Sequence, residues 1–270
     1  MRPTMIELAP NHKRGLTLAR PLMNAAGTLG FAGEARGHVD LGALGAFVTN
    51  PFTWTARTPA APPNVVELPD GVLVHTGLPN PGLRAGLRTF AREWARDCVR
   101  RGVPVIVHLA ATTPAEVAAA LELLDRDDRV SGVELGLRDD VDEAELRAVV
   151  RAGRGGPPLM VRLPLAQAET LSRAAVESGA DALTIAAPPR EAVEVDGRMV
   201  RGRFYGPGQA EPARAALGAV LAQALEVPVI AAGGLFSGDL VRARLADGAA
   251  AVQLDAVLWR QPDGLADLTP

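Results

Sequence analysis

Eight short apolar runs that alternate with amphipathic stretches constrain the fold of this chain more than any other feature. The runs read PLMNAA, ALGAFVTN, VPVIVHLA, SGVELGL, PLMVRLP, ALTIAAP, VPVIAAGG and AAVQLDA. Most of them lack polar alternation, as is typical of strands that are covered on both faces. Eight strand–helix units in 270 residues predict an α/β protein with one domain over residues 1–270, a single (β/α)8 TIM barrel.

Helix signals and two insertions fit this barrel. Thr113 is placed to cap the stretch TPAEVAAALELLDR, with Glu116 three residues on, and Gly179 and Gly248 occupy plausible C-cap positions. A Pro-rich segment spans about 51–82, and a second insertion at about 191–209 contains VEVDGRMVRG, which predicts a β-hairpin. Both insertions follow strand C-termini, so we expect them to cover the mouth that carries the active site in such barrels.

Composition excludes several classes of function. A net charge of −3 with both signs interspersed argues against nucleic acid as a partner. The chain has no apolar run of about 18 residues and no signal-peptide core, so we expect no membrane contact and a cytoplasmic location. Cys98, the only cysteine, cannot form an internal disulfide or a cysteine-ligated cluster and is expected to be buried packing. Lys13, the only lysine, disfavours Schiff-base chemistry, and no residue spacing predicts a metal site.

Small residues close two of the predicted strands. Ala25, Ala26 and Gly27 follow the first run, and Gly233 and Gly234 follow the seventh. Small residues at the C-terminal end of a strand let a flat or phosphorylated ligand approach the backbone. The pattern therefore predicts a small-molecule ligand at the barrel mouth, although tight packing at the rim would select the same residues.

Four stretches of the chain resemble the dihydroorotate dehydrogenases. They read NAAGTLGFAGEARGHVDLGALGAFVTN, PPNVVELPDGVLVHTGLPNPG, YGPGQAEP and AAGGLFSGDLVRARLADGAAAVQL, within a likeness that runs from about Leu16 to Val257. The likeness is greatest to the branch that pairs with a separate iron–sulfur electron-transfer subunit. It implies a flavoprotein oxidoreductase of pyrimidine biosynthesis with FMN across the mouth. It also implies an iron–sulfur partner subunit and a homodimer, to which the apolar FTWT stretch could contribute.

The resemblance also implies a set of cofactor-binding positions. These positions are Ala25, Ala26, Gly27, Asn50, Arg162, Gly206, Gly233 and Gly234. The first three would lie against the flavin edge, and the last three would present backbone N–H groups to its phosphate. Arg162 replaces a flavin-contacting lysine and keeps the charge as a planar fork, whereas Asn50 replaces the lysine that ends the family's VTK.

Other family positions have changed together. The stretch ELNISCPN, with its base and two asparagines, has become ELGLRDDV, and the asparagine before GLPN and the NT after the sixth strand are also replaced. The replacing residues are Val74, Gly136, Asp139, Val141, Ala187 and Pro188. Each lost partner of a buried polar group costs about 1–3 kcal/mol, and sites built for hydrogen bonding discriminate by roughly 10⁴–10⁵. We therefore expect no meaningful turnover of dihydroorotate.

Two residue types could supply a new proton acceptor. Asp139 could act as a base if burial raised its pKa, but its acidic context RDDVDEAE favours a helix cap. His75 and His108 fall near the mouth, where they could form a polar pair or bind a ligand group, or simply be hydrogen-bonded rim residues. His12 and His38 are expected away from the mouth.

Asp255 replaces the glycine of a phosphate-binding GT pair. A carboxylate about 4 Å from a phosphate charge costs about 4 kcal/mol at an effective dielectric constant near 20. The attraction of a helix terminus returns only about 0.3–2 kcal/mol. FMN binding should therefore be weakened or lost, unless Asp255 faces solvent or pairs with Arg203 or Arg260.

Three functions remain open at this point. The first is an FMN-dependent oxidoreductase of the CH–CH class that acts on another substrate, with Asp139 or His75 as proton acceptor. The second is a non-catalytic barrel that serves as a binding or assembly subunit. The third is a non-flavin enzyme for a phosphorylated ligand, bound at Gly206, Gly233 and Gly234.

Overall fold

A computed structural model describes residues 5–32, 39–110, 113–261, 265 and 267–268. His38 lies outside these residues, and His12 binds the carbonyl oxygen of Gly156 through Nε2 at 3.1 Å, in the loop that precedes a barrel strand. Within these described ranges, no helix is long and apolar enough to cross a membrane.

Fourteen strands are present in the described part of the chain. They are β1 Ile6–Glu7, β2 Thr17–Leu18, β3 Leu22–Asn24, β4 Phe47–Val48, β5 Val65–Leu68, β6 Gly71–Val74, β7 Val105–Ala110, β8 Val130–Gly136, β9 Leu159–Pro164, β10 Ala182–Ala187, β11 Arg190–Val195, β12 Arg198–Tyr205, β13 Val229–Ala232 and β14 Ala251–Leu254. Eight of them form a parallel sheet in the order β3-β14-β13-β10-β9-β8-β7-β4. Each of the eight predicted runs overlaps one of these strands, which confirms the barrel.

The two edge strands, β3 and β4, close the barrel through one bridge and one side chain. Met23 and Ala46 form an isolated parallel bridge. The Asn24 amide then spans the remaining gap: its Nδ2 donates to the Val48 carbonyl at 2.7 Å, and its Oδ1 accepts from the Val48 N–H at 2.9 Å. A buried asparagine thus replaces the missing rungs of the ladder, because both backbone groups of Val48 need partners.

Helices cover the outside of the barrel. They are α1 Leu83–Glu93, α2 Pro114–Asp125, α3 Glu143–Ala152, α4 Ala168–Ser178, α5 Ala210–Leu221, α6 Gly238–Ala246 and the short α7 Val257–Arg260. Thr113 Oγ1 accepts from the Glu116 N–H at 3.2 Å, as predicted for a cap of α2. Gly179 and Gly248 adopt φ of 111° and 113° just beyond α4 and α6, which confirms the predicted helix ends.

The barrel interior is layered. Side chains two residues apart on a strand face the same side, so each strand adds one inward residue to every layer. An apolar cluster that includes Met23, Ile106, Met160 and Ile230 fills the lower interior and is separate from the larger cluster under the helices. Two residues further on, Ala25 and Ala232 are small, but the inward positions of five strands are polar: His108, Glu134, Arg162, Thr184 and Gln253. One more step brings mostly small residues at the mouth. The apolar layer therefore supports a polar floor beneath the mouth.

The two insertions combine into one antiparallel sheet. β5 pairs with β6 and β11 pairs with β12, and β6 joins β12 to give the order β11-β12-β6-β5. The predicted hairpin in the second insertion is confirmed, with φ of 49° at Asp196 and 73° at Gly197, as a type I′ turn requires. The hairpin in the first insertion was not predicted, although LPDG at its turn is a recognisable signal.

The FTWT stretch and Cys98 are internal packing elements. Phe52 is fully buried and its ring lies 4.6 Å from that of Phe31 and 6.4 Å from that of Trp94. The expectation that FTWT could contribute to a dimer surface is therefore wrong for Phe52 and for the buried Thr53. Cys98 is fully buried, and burial raises the pKa of its thiol to about 12, which confirms its role in packing.

Candidate functional site at the barrel mouth

Glu134 is the centre of the polar floor. Its side chain is fully buried on β8 and is contacted from four other strands. His108 Nδ1 lies 2.7 Å from Oε2, and Thr184 Oγ1 donates to Oε1 at 2.9 Å. Gln253 Nε2 also donates to Oε1, and the Arg162 guanidinium lies 3.9 Å from Oε2. Oε2 is thus held from the two neighbouring strands and Oε1 from strands across the barrel, which gives this buried charge the partners it requires.

These partners decide the charge of Glu134. Burial alone would raise its pKa, but the hydrogen bond and charge of His108, the charge of Arg162 and the Gln253 amide together lower the pKa to about 2. Glu134 is therefore a carboxylate at neutral pH. Sequence analysis did not single it out, although a lone charged residue within an apolar strand was a usable signal.

The His108 ring occupies the space beside Gly136. A Cβ added to Gly136 would lie 2.4 Å from His108 Nε2, so only glycine leaves room for the imidazole. The contact of Nδ1 with Glu134 Oε2 orients the ring and turns Nε2 toward Gly136. His75, by contrast, is exposed just beyond β6, where its backbone N–H donates to the Asn64 carbonyl at 2.7 Å. Of the alternatives for these two histidines, the polar pair of His75 with His108 is therefore wrong.

Several buried polar atoms at the mouth have no hydrogen-bond partner among the described residues. They include Asn50 Oδ1 and Asp255 Oδ1 just beyond β4 and β14, and Arg162 Nε and Gln253 Oε1 in the polar floor directly beneath the mouth. Buried polar groups in folded proteins are nearly always satisfied by protein, water or ligand. Two of the residues expected to contact a cofactor, Asn50 and Arg162, thus present unpaired groups to the mouth.

The small residues expected near a flavin have different structural roles. Ala25 is buried and its N–H donates to the Leu254 carbonyl at 2.6 Å, Ala26 is buried beside it, and Gly27 has φ of 88° with open space around its Cβ position. Gly206 has extended backbone, and a Cβ there would lie 2.3 Å from the Asp70 carbonyl oxygen. Packing against the first hairpin therefore accounts for Gly206.

Gly233 and Gly234 form the turn after β13. Their φ angles are 96° and 71°, in the left-handed region that favours glycine. A Cβ on Gly234 would also lie 2.3 Å from the Ala210 backbone nitrogen, so the turn packs directly on the start of α5. Successive backbone N–H groups in such a turn can converge on an anion.

Asp139 neither caps a helix nor stands free. Asp142 caps α3, because its Oδ1 accepts from the Glu145 N–H at 2.7 Å, so the capping interpretation of Asp139 is wrong. Instead, Asp139 Oδ2 accepts from Arg190 Nε and Oδ1 from Arg203 Nη1, each at 2.6 Å. Asp139 therefore ties the loop after β8 to the second hairpin.

Asp255 points inward. It is 3% exposed and lines a cavity of about 10 Å³ together with Ala232 and Gly233. Burial raises the pKa of Asp255 to about 6, against the lowering effect of the Ala256 and Gly234 N–H groups and the Arg162 charge. The alternatives in which Asp255 faces solvent or pairs with an arginine are therefore wrong.

The two arginines considered as partners for Asp255 are engaged elsewhere. Arg203 binds Asp139, and the Arg260 guanidinium lies 5.9 Å from the centre of the Phe236 ring. Two aromatic residues that sequence analysis missed also stand at the mouth. Tyr205 meets Trp259 edge to face at 5.4 Å, and Trp259 Nε1 donates to the Thr28 carbonyl at 2.9 Å.

The residues present do not fit FMN at its phosphate end. The cavity beside Gly233 has about 10 Å³, roughly room for one water molecule, and Asp255 lines it, so a phosphate group has no space there. Elsewhere at the mouth, the unpaired polar atoms of Arg162 and Asn50 suit a polar ligand. In the described part of the chain, no cluster of His, Cys, Asp and Glu could hold a metal ion.

Comparisons with known proteins agree with this fold. Residues 10–137 match the family model described as dihydroorotate dehydrogenase, and residues 107–259 match that of nitronate monooxygenase. The structure of a dihydroorotate dehydrogenase from Eimeria tenella, in complex with ferulenol, superposes with a TM-score of 0.79 at 16% identity. It covers 97% of this chain and 82% of that one, which supports the barrel architecture.

The family assignment rests on two curated relatives. The catalytic subunit of dihydroorotate dehydrogenase B (NAD(+)) from Pelobacter propionicus is 31% identical, over 97% of this chain and 90% of the relative. The subunit of the same name from Desulforudis audaxviator is 33% identical, over 83% and 78%. With this identity over most of both sequences, the chain belongs to the dihydroorotate dehydrogenase family, in the branch of the dihydroorotate dehydrogenase B catalytic subunits.

Proposed function

We propose that this chain binds a small polar ligand at the barrel mouth and does not oxidise dihydroorotate. One observation carries the proposal: Arg162 Nε and Asn50 Oδ1 are buried and unpartnered at a mouth whose family amide positions have no amides. A donor and an acceptor left unpaired in this way each cost about 1–3 kcal/mol, which a bound ligand would recover.

The ligand's chemistry follows from these two groups. Arg162 is 6% exposed and Glu134 holds only one side of its guanidinium, from 3.9 Å. A planar guanidinium with free N–H groups favours a carboxylate or a similar planar acceptor. Asn50 Oδ1 needs a donor. The proposed ligand therefore combines an anionic or strongly accepting end with an N–H or O–H group.

The same mouth lacks what dihydroorotate would need. Val74, Gly136, Val141 and Ala187 carry no hydrogen-bonding side chain, and Val141 is 1% exposed, so no solvent replaces the lost amide there. The His108 ring fills the space beside Gly136, but Glu134 already holds one of its two nitrogens. Both oxygens of Asp139 are occupied, because each accepts a hydrogen bond from an arginine of the second hairpin.

A dye-linked assay tests the activity half of the proposal. Purified protein would be supplied with dihydroorotate, added FMN and a dye acceptor, and we expect no turnover above the protein-free rate. Turnover of ordinary enzymatic magnitude, about 1 s⁻¹ or more, would contradict the proposal.

A binding screen tests the ligand half. Small mono- and dicarboxylates and orotate would be titrated against the native protein and Arg162→Gln, with binding followed by NMR shifts. We expect at least one carboxylate to bind the native protein and not the variant. The control is Arg173→Gln, because Arg173 is an exposed arginine on α4. Equal binding to all three proteins would place the ligand elsewhere.

A second candidate function is that of a non-catalytic subunit. The curated relatives are named as catalytic subunits, which favours a multi-subunit assembly, and the filled cavity at Asp255 favours a loss of flavin chemistry. The partner would be an iron–sulfur electron-transfer subunit, and a homodimer is the corresponding self-assembly. Sedimentation of the chain alone and mixed with such a subunit tests both assemblies; a monomer in both samples would count against this candidate.

A further inference from the structure

We propose that the Asp255 side chain is a built-in occupant of the anion cradle at the ends of β13 and β14, and that it excludes phosphate-bearing ligands from this mouth. The anion cradle consists of Gly233, Gly234 and Ala256. The inference does not depend on the ligand or the lack of activity proposed above.

The cradle has the geometry of an anion site. Gly233 and Gly234 are consecutive left-handed residues, and the Gly234 turn packs against the backbone nitrogen of Ala210, where α5 begins. Such a turn beside a helix N-terminus presents backbone N–H groups to a negative charge. The N–H groups of Gly234 and Ala256 both act on the Asp255 carboxyl and favour its ionised form.

Asp255 occupies this site, but its own hydrogen-bonding capacity is only partly used there. The residue is 3% exposed, and its Oδ1 has no hydrogen-bond partner among the described residues. A solvent-facing or ion-paired side chain would have been inert toward a ligand, but this one is aimed into the cradle. The charged and titratable groups that act on it are Arg162 and Tyr205, and only Arg162 is positive.

Space and charge both exclude a phosphate. The remaining cavity is about 10 Å³, roughly the volume needed for one water molecule. Its other walls are largely apolar, and they include Leu165, Ala186, Ala187, Pro188, Phe204 and Ala213. A phosphate would therefore have to displace the Asp255 carboxylate, or lie against a like charge in a setting with little solvent screening.

Phosphate binding to two variants tests the proposal. Asp255→Gly removes both volume and charge, whereas Asp255→Asn keeps the volume and removes only the charge. Binding of inorganic phosphate would be followed by ³¹P NMR, and binding of FMN and riboflavin by fluorescence. Riboflavin is the matched ligand, because it differs from FMN only by the phosphate.

We expect the native protein to bind no inorganic phosphate and to bind FMN no better than riboflavin. Asp255→Gly should bind phosphate and prefer FMN over riboflavin by at least tenfold, with Asp255→Asn between the two. Asp247→Asn, at a surface ion pair with Arg214, should behave as the native protein does.

Two outcomes would overturn the proposal. One is native protein that already prefers FMN to riboflavin as strongly as Asp255→Gly does. The other is folded variants that gain no phosphate affinity. If Asp255→Gly does not fold, Asp255→Asn provides the test, because it has nearly the native shape. The proposal would then be overturned if Asp255→Asn bound inorganic phosphate and FMN no more tightly than the native protein. None of these experiments measures dihydroorotate turnover or carboxylate binding to Arg162, so failure of this proposal can be told apart from failure of the proposed function.

Discussion

Two buried carboxyl groups in the same barrel have opposite electrostatic behaviour. Glu134, in the polar floor, has a pKa lowered to about 2, whereas Asp255, at the mouth, has a pKa raised to about 6. Burial opposes ionisation in both cases. The difference comes from partners. The side chains of His108, Arg162, Thr184 and Gln253 contact Glu134, whereas Asp255 is favoured only by backbone N–H groups and the Arg162 charge, and its Oδ1 has no hydrogen-bond partner among the described residues. Burial alone therefore does not determine whether an acidic side chain stabilises a barrel interior.

Removal of the Glu134 side chain tests this comparison with the largest expected effect on stability. Glu134→Ala leaves the Arg162 charge and His108 buried without their partner, and breaking such a buried pair costs about 3–5 kcal/mol. Urea unfolding at pH 7 measures the loss. Glu122→Ala is the control, since Glu122 forms an exposed helical pair with Arg126, and it should cost about 0–1 kcal/mol. A loss below about 1 kcal/mol for Glu134→Ala would mean that the floor network contributes little.

Acid should remove the same contribution from the native protein. The folded pKa of Glu134 is lowered from 4.5 to about 2, so its stabilisation is fully present above pH 4.5 and is lost as the pH falls toward 2. At about 1.36 kcal/mol per pKa unit this amounts to about 3 kcal/mol. Comparing the native protein with Glu134→Gln between pH 6 and 2.5 isolates this contribution. A stability difference that does not change over this range would contradict the assignment.

Asp255 should show the opposite sign. Its folded pKa is raised from 3.8 to about 6, so the ionised form destabilises the fold above pH 6, and protonation relieves the penalty as the pH falls from 6 toward 3.8. The shift corresponds to at most about 3 kcal/mol. Asp255→Asn should therefore be about 1–3 kcal/mol more stable than the native protein at pH 8, and the gain should shrink by pH 4.5. A destabilised variant at pH 8 would mean that the carboxylate is well solvated in its cradle.

The smallest expected effect is at Asp139, which lies outside both interior sites. Asp139→Asn weakens two ion pairs to the second hairpin, and Asp139 is 30% exposed, so solvent screening limits the cost to about 0.5–1 kcal/mol. Hydrogen exchange of the β11–β12 amides should rise more than that of the barrel strands. Equal exchange in both regions would show that Asp139 does not restrain the hairpin.

The sequence by itself determined the barrel. Eight apolar runs with helix caps between them define eight strands and their order, because continuous apolar strands require cover on both faces. It also located the family, the second hairpin and the small residues at the strand ends. Each of these features is a short stretch of sequence, so it can be recognised from residues that are close together in the chain.

Only the tertiary structure decided which polar groups meet. Glu134 and Gln253 are 119 residues apart in sequence, and His108 lies on a different strand from the glycine that leaves room for its ring. The local sequence favoured Asp139 as a helix cap, but Asp142 caps that helix. For Asp255 it left three positions open, namely the phosphate site, solvent or an arginine partner, and only the fold shows that the side chain is buried while Arg203 and Arg260 contact other groups. A side chain's charge and partners depend on what the fold places around it, and contacts across a closed barrel leave no short-range pattern in the sequence.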